Sequence, residues 1–130
     1  MFKPGIGAVG AFQVSGVPFA TSSAANEVSS TPVRVQFPSV TNWIYVKNTD
    51  ASAGHDLRVG FSANGLTNGK YLILEGGSNA KTFCEMKVKV TELWFLADTA
   101  NATSFSLVAG LTDIDVYEVP NNWSGSAGVG

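Results

Sequence analysis

Apolar and polar residues alternate with a period of two along most of this chain. In PVRVQF, Val33, Val35 and Phe37 share one face, and Arg34 and Gln36 share the other. In HDLRVGFS, Leu57, Val59 and Phe61 point one way and Arg58 the other. EMKVKV places Met86, Val88 and Val90 opposite Lys87 and Lys89, and SFSLVAGL aligns Phe105, Leu107, Ala109 and Leu111. Successive strand side chains project to opposite sides, so this pattern predicts sheets with one buried face. Two runs depart from it. WIYV (43–46) and LWFL (93–96) are apolar on both faces, as expected of a central sandwich strand or of one covered by another subunit.

Turn-forming residues punctuate these runs: Pro38-Ser39, Asn48 to Asp50, Asn64-Gly65, Asn68-Gly69, Gly76-Gly77 and Asp98 to Asn101. The predicted strands are 10–19, 31–38, 41–48, 56–62, 70–75, 82–90, 91–97 and 104–111. The sixth and seventh can be read as one long strand with a bulge near Val90-Thr91. A further extended piece covers 113–119, where Ile114 and Val116 alternate. The stretch 20–30 lacks an apolar stripe, and no helix is expected. Eight short strands about ten residues apart imply an all-β fold: an eight-stranded antiparallel β-sandwich, most simply a single jelly roll. An immunoglobulin-like sandwich is the structural rival, without the paired cysteines of antibody domains.

The ends differ from the middle. Residues 1–9 carry Pro4, Gly5 and Gly7, and 120–130, PNNWSGSAGVG, are mostly small. The expected organisation is an N-terminal arm (1–9), a sandwich domain (10–119) and a C-terminal tail (120–130), with both ends flexible in an isolated monomer. Trp123 is unusual for a linker and suits an anchor on a neighbouring subunit.

Composition narrows the function classes. Of the 130 residues, 45% are apolar but only 14% charged, against about 25% in ordinary soluble chains. Part of the surface is therefore expected to lie against other subunits. Net charge is −2 and the eight Lys and Arg are scattered, which argues against nucleic-acid binding and against a polybasic membrane patch. No apolar run approaches 18 residues, so no direct membrane insertion is expected, and the glycine-rich N-terminus is too weakly apolar for a secretory signal. The matches to the glycosylation pattern at Asn101 and Asn122 carry little weight without such a signal. Cys84, the single cysteine, excludes an intrachain disulfide and reads as a buried thiol.

Candidate chemistry is sparse. His55-Asp56 is the one acid–histidine pair close in sequence, but no nucleophile elbow accompanies it, and adjacent strand residues point apart. One His and one Cys do not make a zinc site without carboxylates. Asp113, Asp115 and Glu118 could gather oxygen ligands for calcium, but no glycine-bearing loop accompanies them. Glu75, Glu85 and Glu92 show no pairing suited to glycoside hydrolysis. GIGAVG (5–10) has G-x-G-x-x-G spacing but lacks the strand-to-helix context that phosphate binding needs. The expectation is no enzyme, with no catalytic residues, cofactor or metal. A lectin-like or receptor-binding module is the alternative, with Asn42, Trp43, Tyr45 and Arg58 meeting a ligand.

The wording PVRVQFPSVTNWIYVKNTD, then LRVGFSANG, KVTELWFLAD and SLVAGLTDI, resembles the single jelly-roll penton proteins at the fivefold vertices of large icosahedral double-stranded DNA viruses. The resemblance runs roughly from Ala11 to Ile114. It implies a structural virion protein, five copies around a vertex, contacts with neighbouring major and minor capsid proteins, and assembly in the host cytoplasm. The candidate assembly contacts are Phe2, Trp43, Tyr45, Trp94 and Trp123.

Overall fold

The computed structural model describes residues 17–77 and 82–130. Eight strands appear among them: β1 (Val17–Ser22), β2 (Val33–Gln36), β3 (Thr41–Asn48), β4 (Leu57–Gly60), β5 (Tyr71–Leu74), β6 (Phe83–Met86), β7 (Glu92–Ala97) and β8 (Phe105–Leu111). They form two four-stranded sheets, ordered β1-β8-β3-β6 and β2-β7-β4-β5. Every pairing is antiparallel. The ladders β1/β8, β2/β7, β3/β6 and β4/β5 are those of one long hairpin folded at its middle. The ladders β3/β8 and β4/β7 arise when that hairpin rolls up, which is the topology of a jelly roll.

The inward faces are those the alternation marks. Ile44, Val46, Leu57, Val59, Leu93, Phe95, Phe105, Leu107, Ala109 and Leu111 are buried in one core. Phe95 and Phe105 stack across the two sheets, ring centroids 4.0 Å apart. WIYV and LWFL divide between the two environments. Ile44, Val46, Leu93 and Phe95 face inward, while Trp43, Tyr45 and Trp94 face outward and are half-buried.

The structure corrects several strand limits. The described part of the first strand begins at Val17, and residues 10–16 lie outside the described residues, as do the 1–9 arm and Phe2. The sixth and seventh strands are not one. β6 pairs with β3 and β7 with β2 and β4, so the chain changes sheet over residues 87–91. Buried Thr41 makes the change possible. Its hydroxyl donates to Val88 O at 2.7 Å and accepts from Val90 N at 3.1 Å, replacing ladder bonds with side-chain ones. The 113–119 segment is not extended throughout, because Val116–Glu118 form a 3-10 turn capped by the Asp115 carboxylate. Ile114 and Val119, on either side of that turn, are both buried with Val40 in a small second cluster.

Residues 120–130 also depart from expectation. Instead of standing free, this tail folds back on the sandwich. Asn122 is 1% exposed, and its amide makes five hydrogen bonds. Val129 O and Gly130 O approach the Ser62 hydroxyl at 2.9 and 3.0 Å. Gly65 is needed for this fit, because a Cβ there would collide with Val129 O.

Candidate functional site

The sandwich presents two outward faces of different character. On the β1-β8-β3-β6 sheet, inward Ile44 and Val46 leave Trp43, Tyr45 and Lys47 outside. The register sets Val108 and Glu85 beside Tyr45, and Phe83 beside Lys47. Tyr45 and Phe83 stack at 5.6 Å with an interplanar angle of 26°. Trp43 lies across Gly110 of β8, and any side chain at that position would strike the indole. Pro18 and Ala20 of β1 continue the same face, opposite Gly110 and Val108. The result is an aromatic ledge bordered by small residues and by the exposed Lys47 and Glu85. Phe83 is 51% exposed and Val108 also lies open to solvent. In the single chain this ledge faces solvent.

The β2-β7-β4-β5 sheet presents paired charges instead. Arg34 bonds Glu92 at 2.7 Å and lies 5.6 Å from the Trp94 ring centroid, while the Trp94 indole N–H donates to the same Glu92 carboxylate. Arg58 bonds Asp98 at 2.7 Å and Leu66 O at 2.9 Å, and sits 4.4 Å from the Tyr71 ring centroid. Each cation is thus held by a carboxylate and an aromatic face. A cleft of about 440 Å³ opens beside Trp94, lined in part by Arg34, Ser62, Asn64 and Asn121.

These faces separate residues that the sequence groups together. Trp43 and Tyr45 lie on one outer face and Arg58 on the other, with the core between them, so the lectin-like set of Asn42, Trp43, Tyr45 and Arg58 is not brought to one place. Of the candidate assembly contacts, Trp43 and Tyr45 share the aromatic ledge, and Trp94 lies on the opposite face. Trp123 sits in the docked tail, its indole N–H donating to Lys89 O. Phe83 and Val108 complete the ledge but were not among the sequence candidates. Phe83 was detectable, since alternation through Phe83-Cys84-Glu85-Met86 places it opposite the inward Met86.

His55 is a loop residue, with Asp50 rather than Asp56 as its acid neighbour. Its Nδ1 lies 3.1 Å from Asp50 Oδ2 and 3.0 Å from Ala102 O. Both are acceptors, so Nδ1 carries the proton. Asp56 instead accepts from Gly76 N at 3.2 Å. Cys84 faces inward beside Met86, and burial pushes its thiol pKa up, which favours the unreactive protonated form. Asp115 caps the 3-10 turn. Among the described residues, no three His, Cys, Asp or Glu side chains gather as a metal site, no helix is long and apolar enough to cross a membrane, and no buried side-chain polar atom lacks a partner.

In comparisons with known proteins, the chain matches no family model and no curated protein.

Proposed function

We propose that this protein is a structural shell subunit, a penton-type capsid protein acting as a homopentamer at fivefold vertices beside other capsid proteins of a virion assembled in the host cytoplasm. The observation that carries this reading is the aromatic ledge of Trp43, Tyr45, Phe83 and Val108 on the outer face of a jelly roll. A rigid two-layered block whose aromatic ledge is bordered by two charges, Lys47 and Glu85, suits repeated packing against other subunits. Low overall charge and the family resemblance support the same reading.

Light scattering and negative-stain imaging of the purified full chain test it, with electron microscopy of native particles for its location. The expected result is a five-copy ring in solution and five copies at each vertex. Tyr45→Asp combined with Phe83→Asp should shift the ring to monomer while leaving the far-ultraviolet circular dichroism unchanged. A chain that stays monomeric at every concentration and is missing from particles overturns the reading.

The stack of half-buried Tyr45 and exposed Phe83 favours a second reading, a lectin-like ledge on which a sugar ring lies flat. Glycan-array binding lost in Trp43→Ala, with the fold retained, would support that reading. An array with no bound glycan would remove it.

A further inference from the structure

Two further surfaces carry opposite charges around an aromatic tip and an apolar hollow. The first is the 116–118 turn. Ile114 and Val119 anchor it in the core on both sides. Asp115 accepts from Tyr117 N at 3.0 Å, and Val119 N donates to Val116 O at 3.1 Å. On this fixed turn Tyr117 is 86% exposed, with Asp113 and Glu118 exposed beside it. An aromatic ring held out on a rigid backbone loses little conformational freedom when it is buried by a partner.

The second is a cleft of about 430 Å³ lined by Phe61, Val88, Val90, Trp123 and Val129. Its wall is mainly apolar, and the exposed Lys87 and Lys89 stand at its rim. Trp123 is fixed in place by its bond to Lys89 O and by the neighbouring Asn122. One surface is therefore an aromatic tip flanked by carboxylates, and the other an apolar hollow flanked by ammonium groups. At 86% exposure, Tyr117 does not fill the cleft of its own chain.

We propose that the Tyr117 turn of one copy seats in the Phe61–Trp123 cleft of a second copy, with Asp113 and Glu118 facing Lys87 and Lys89. The inference rests on the shell-subunit reading and supplies a contact between two different patches, the kind that builds rings. Opposite charges around a desolvated aromatic centre set the register and exclude wrong pairings.

The test measures self-association of the full chain by sedimentation velocity, with circular dichroism as a folding control. Tyr117→Ser should weaken association about thirtyfold, as for a central aromatic anchor. Asp113→Lys with Glu118→Lys, and separately Lys87→Glu with Lys89→Glu, should each weaken it about tenfold. The two reversals combined should restore association to within about threefold of the starting chain, because the pairing is remade with opposite sign. If the unaltered chain associates and every variant associates equally well, this contact is wrong while the shell reading stands. Loss in both reversals without rescue in the combination also overturns the pairing. An unaltered chain that never associates overturns both readings.

Discussion

Each end of this sandwich is held by one buried asparagine, and the two do different jobs. Asn48 closes β3 and is 2% exposed. Its Nδ2 donates to His55 O at 2.9 Å and Leu74 O at 3.0 Å, while its Oδ1 accepts from Asp50 N at 2.9 Å and the Thr103 hydroxyl at 3.0 Å. At the opposite end, Nδ2 of Asn122 donates to Phe61 O at 2.8 Å and Glu92 O at 2.9 Å. Its Oδ1 accepts from Thr91 N at 2.6 Å and more distantly from Glu92 N at 3.3 Å. The side chains are used alike, but the backbones beneath them differ. Asn48 belongs to a ladder, paired with Phe105. Asn122 lies in a left-handed run, Asn121, Asn122 and Trp123 at φ 58, 50 and 64, outside any sheet. One asparagine organises loops around a backbone already fixed, whereas the other is itself the attachment point of a tail.

That difference predicts unequal responses to the same substitution. Asn48→Ala removes the side-chain partner of two carbonyls, an amide and a hydroxyl, and should cost about 3 kcal/mol of global stability. Urea denaturation measures this, and a loss below about 1 kcal/mol would show that water or neighbouring groups replace the amide. Asn122→Ala should cost less globally, about 1–2 kcal/mol, because the tail can detach while the sandwich stays folded. Its signature is local. The amides of Thr91 and of residues 121–130 should lose hydrogen-exchange protection while strand amides keep theirs. Asn122→Gly sharpens the reading, since glycine removes the side chain but adopts φ 50 without strain. If Asn122→Ala proves as costly as Asn48→Ala, the tail belongs to the cooperative core.

The same contrast explains what the sequence discloses. Inward faces were legible wherever the ladder imposes a period of two, as from Phe105 to Leu111 and from Val33 to Phe37. The break between β6 and β7 was not. Met86, Val88 and Val90 keep alternating while the chain passes from one sheet to the other, and the deciding bonds come from Thr41, more than 40 residues away. The 116–118 turn was hidden for a related reason, because Ile114 and Val116 imitate a strand although Asp115 stands ready to cap a turn. The ledge was half legible. Trp43 and Tyr45 stood out as aromatic, but only the register adds Val108. The docked tail left one local signal, Trp123, but not where it docks, since its fit depends on Gly65 and Ser62, far off in sequence.

The smallest effect belongs to the far end of that tail. The Ser62 hydroxyl is shared between Val129 O and Gly130 O and accepts from Gly65 N at 2.9 Å. Ser62→Ala removes these bonds and leaves Asn122 in place, so its global cost should be about 0.5–1 kcal/mol. Hydrogen exchange separates the two attachments. In Ser62→Ala the amides of 126–130 should exchange faster, because Val129 N and Gly130 N depend on a turn that packs against Ser62. Ser124 N, which donates to Asn121 O at 2.8 Å next to the asparagine pin, should stay protected. Loss of protection at Ser124 as well would mean that Asn122 does not hold the tail alone and that the two contacts act as one clasp. The end opposite Asn48 would then owe its order to the whole tail rather than to a single side chain.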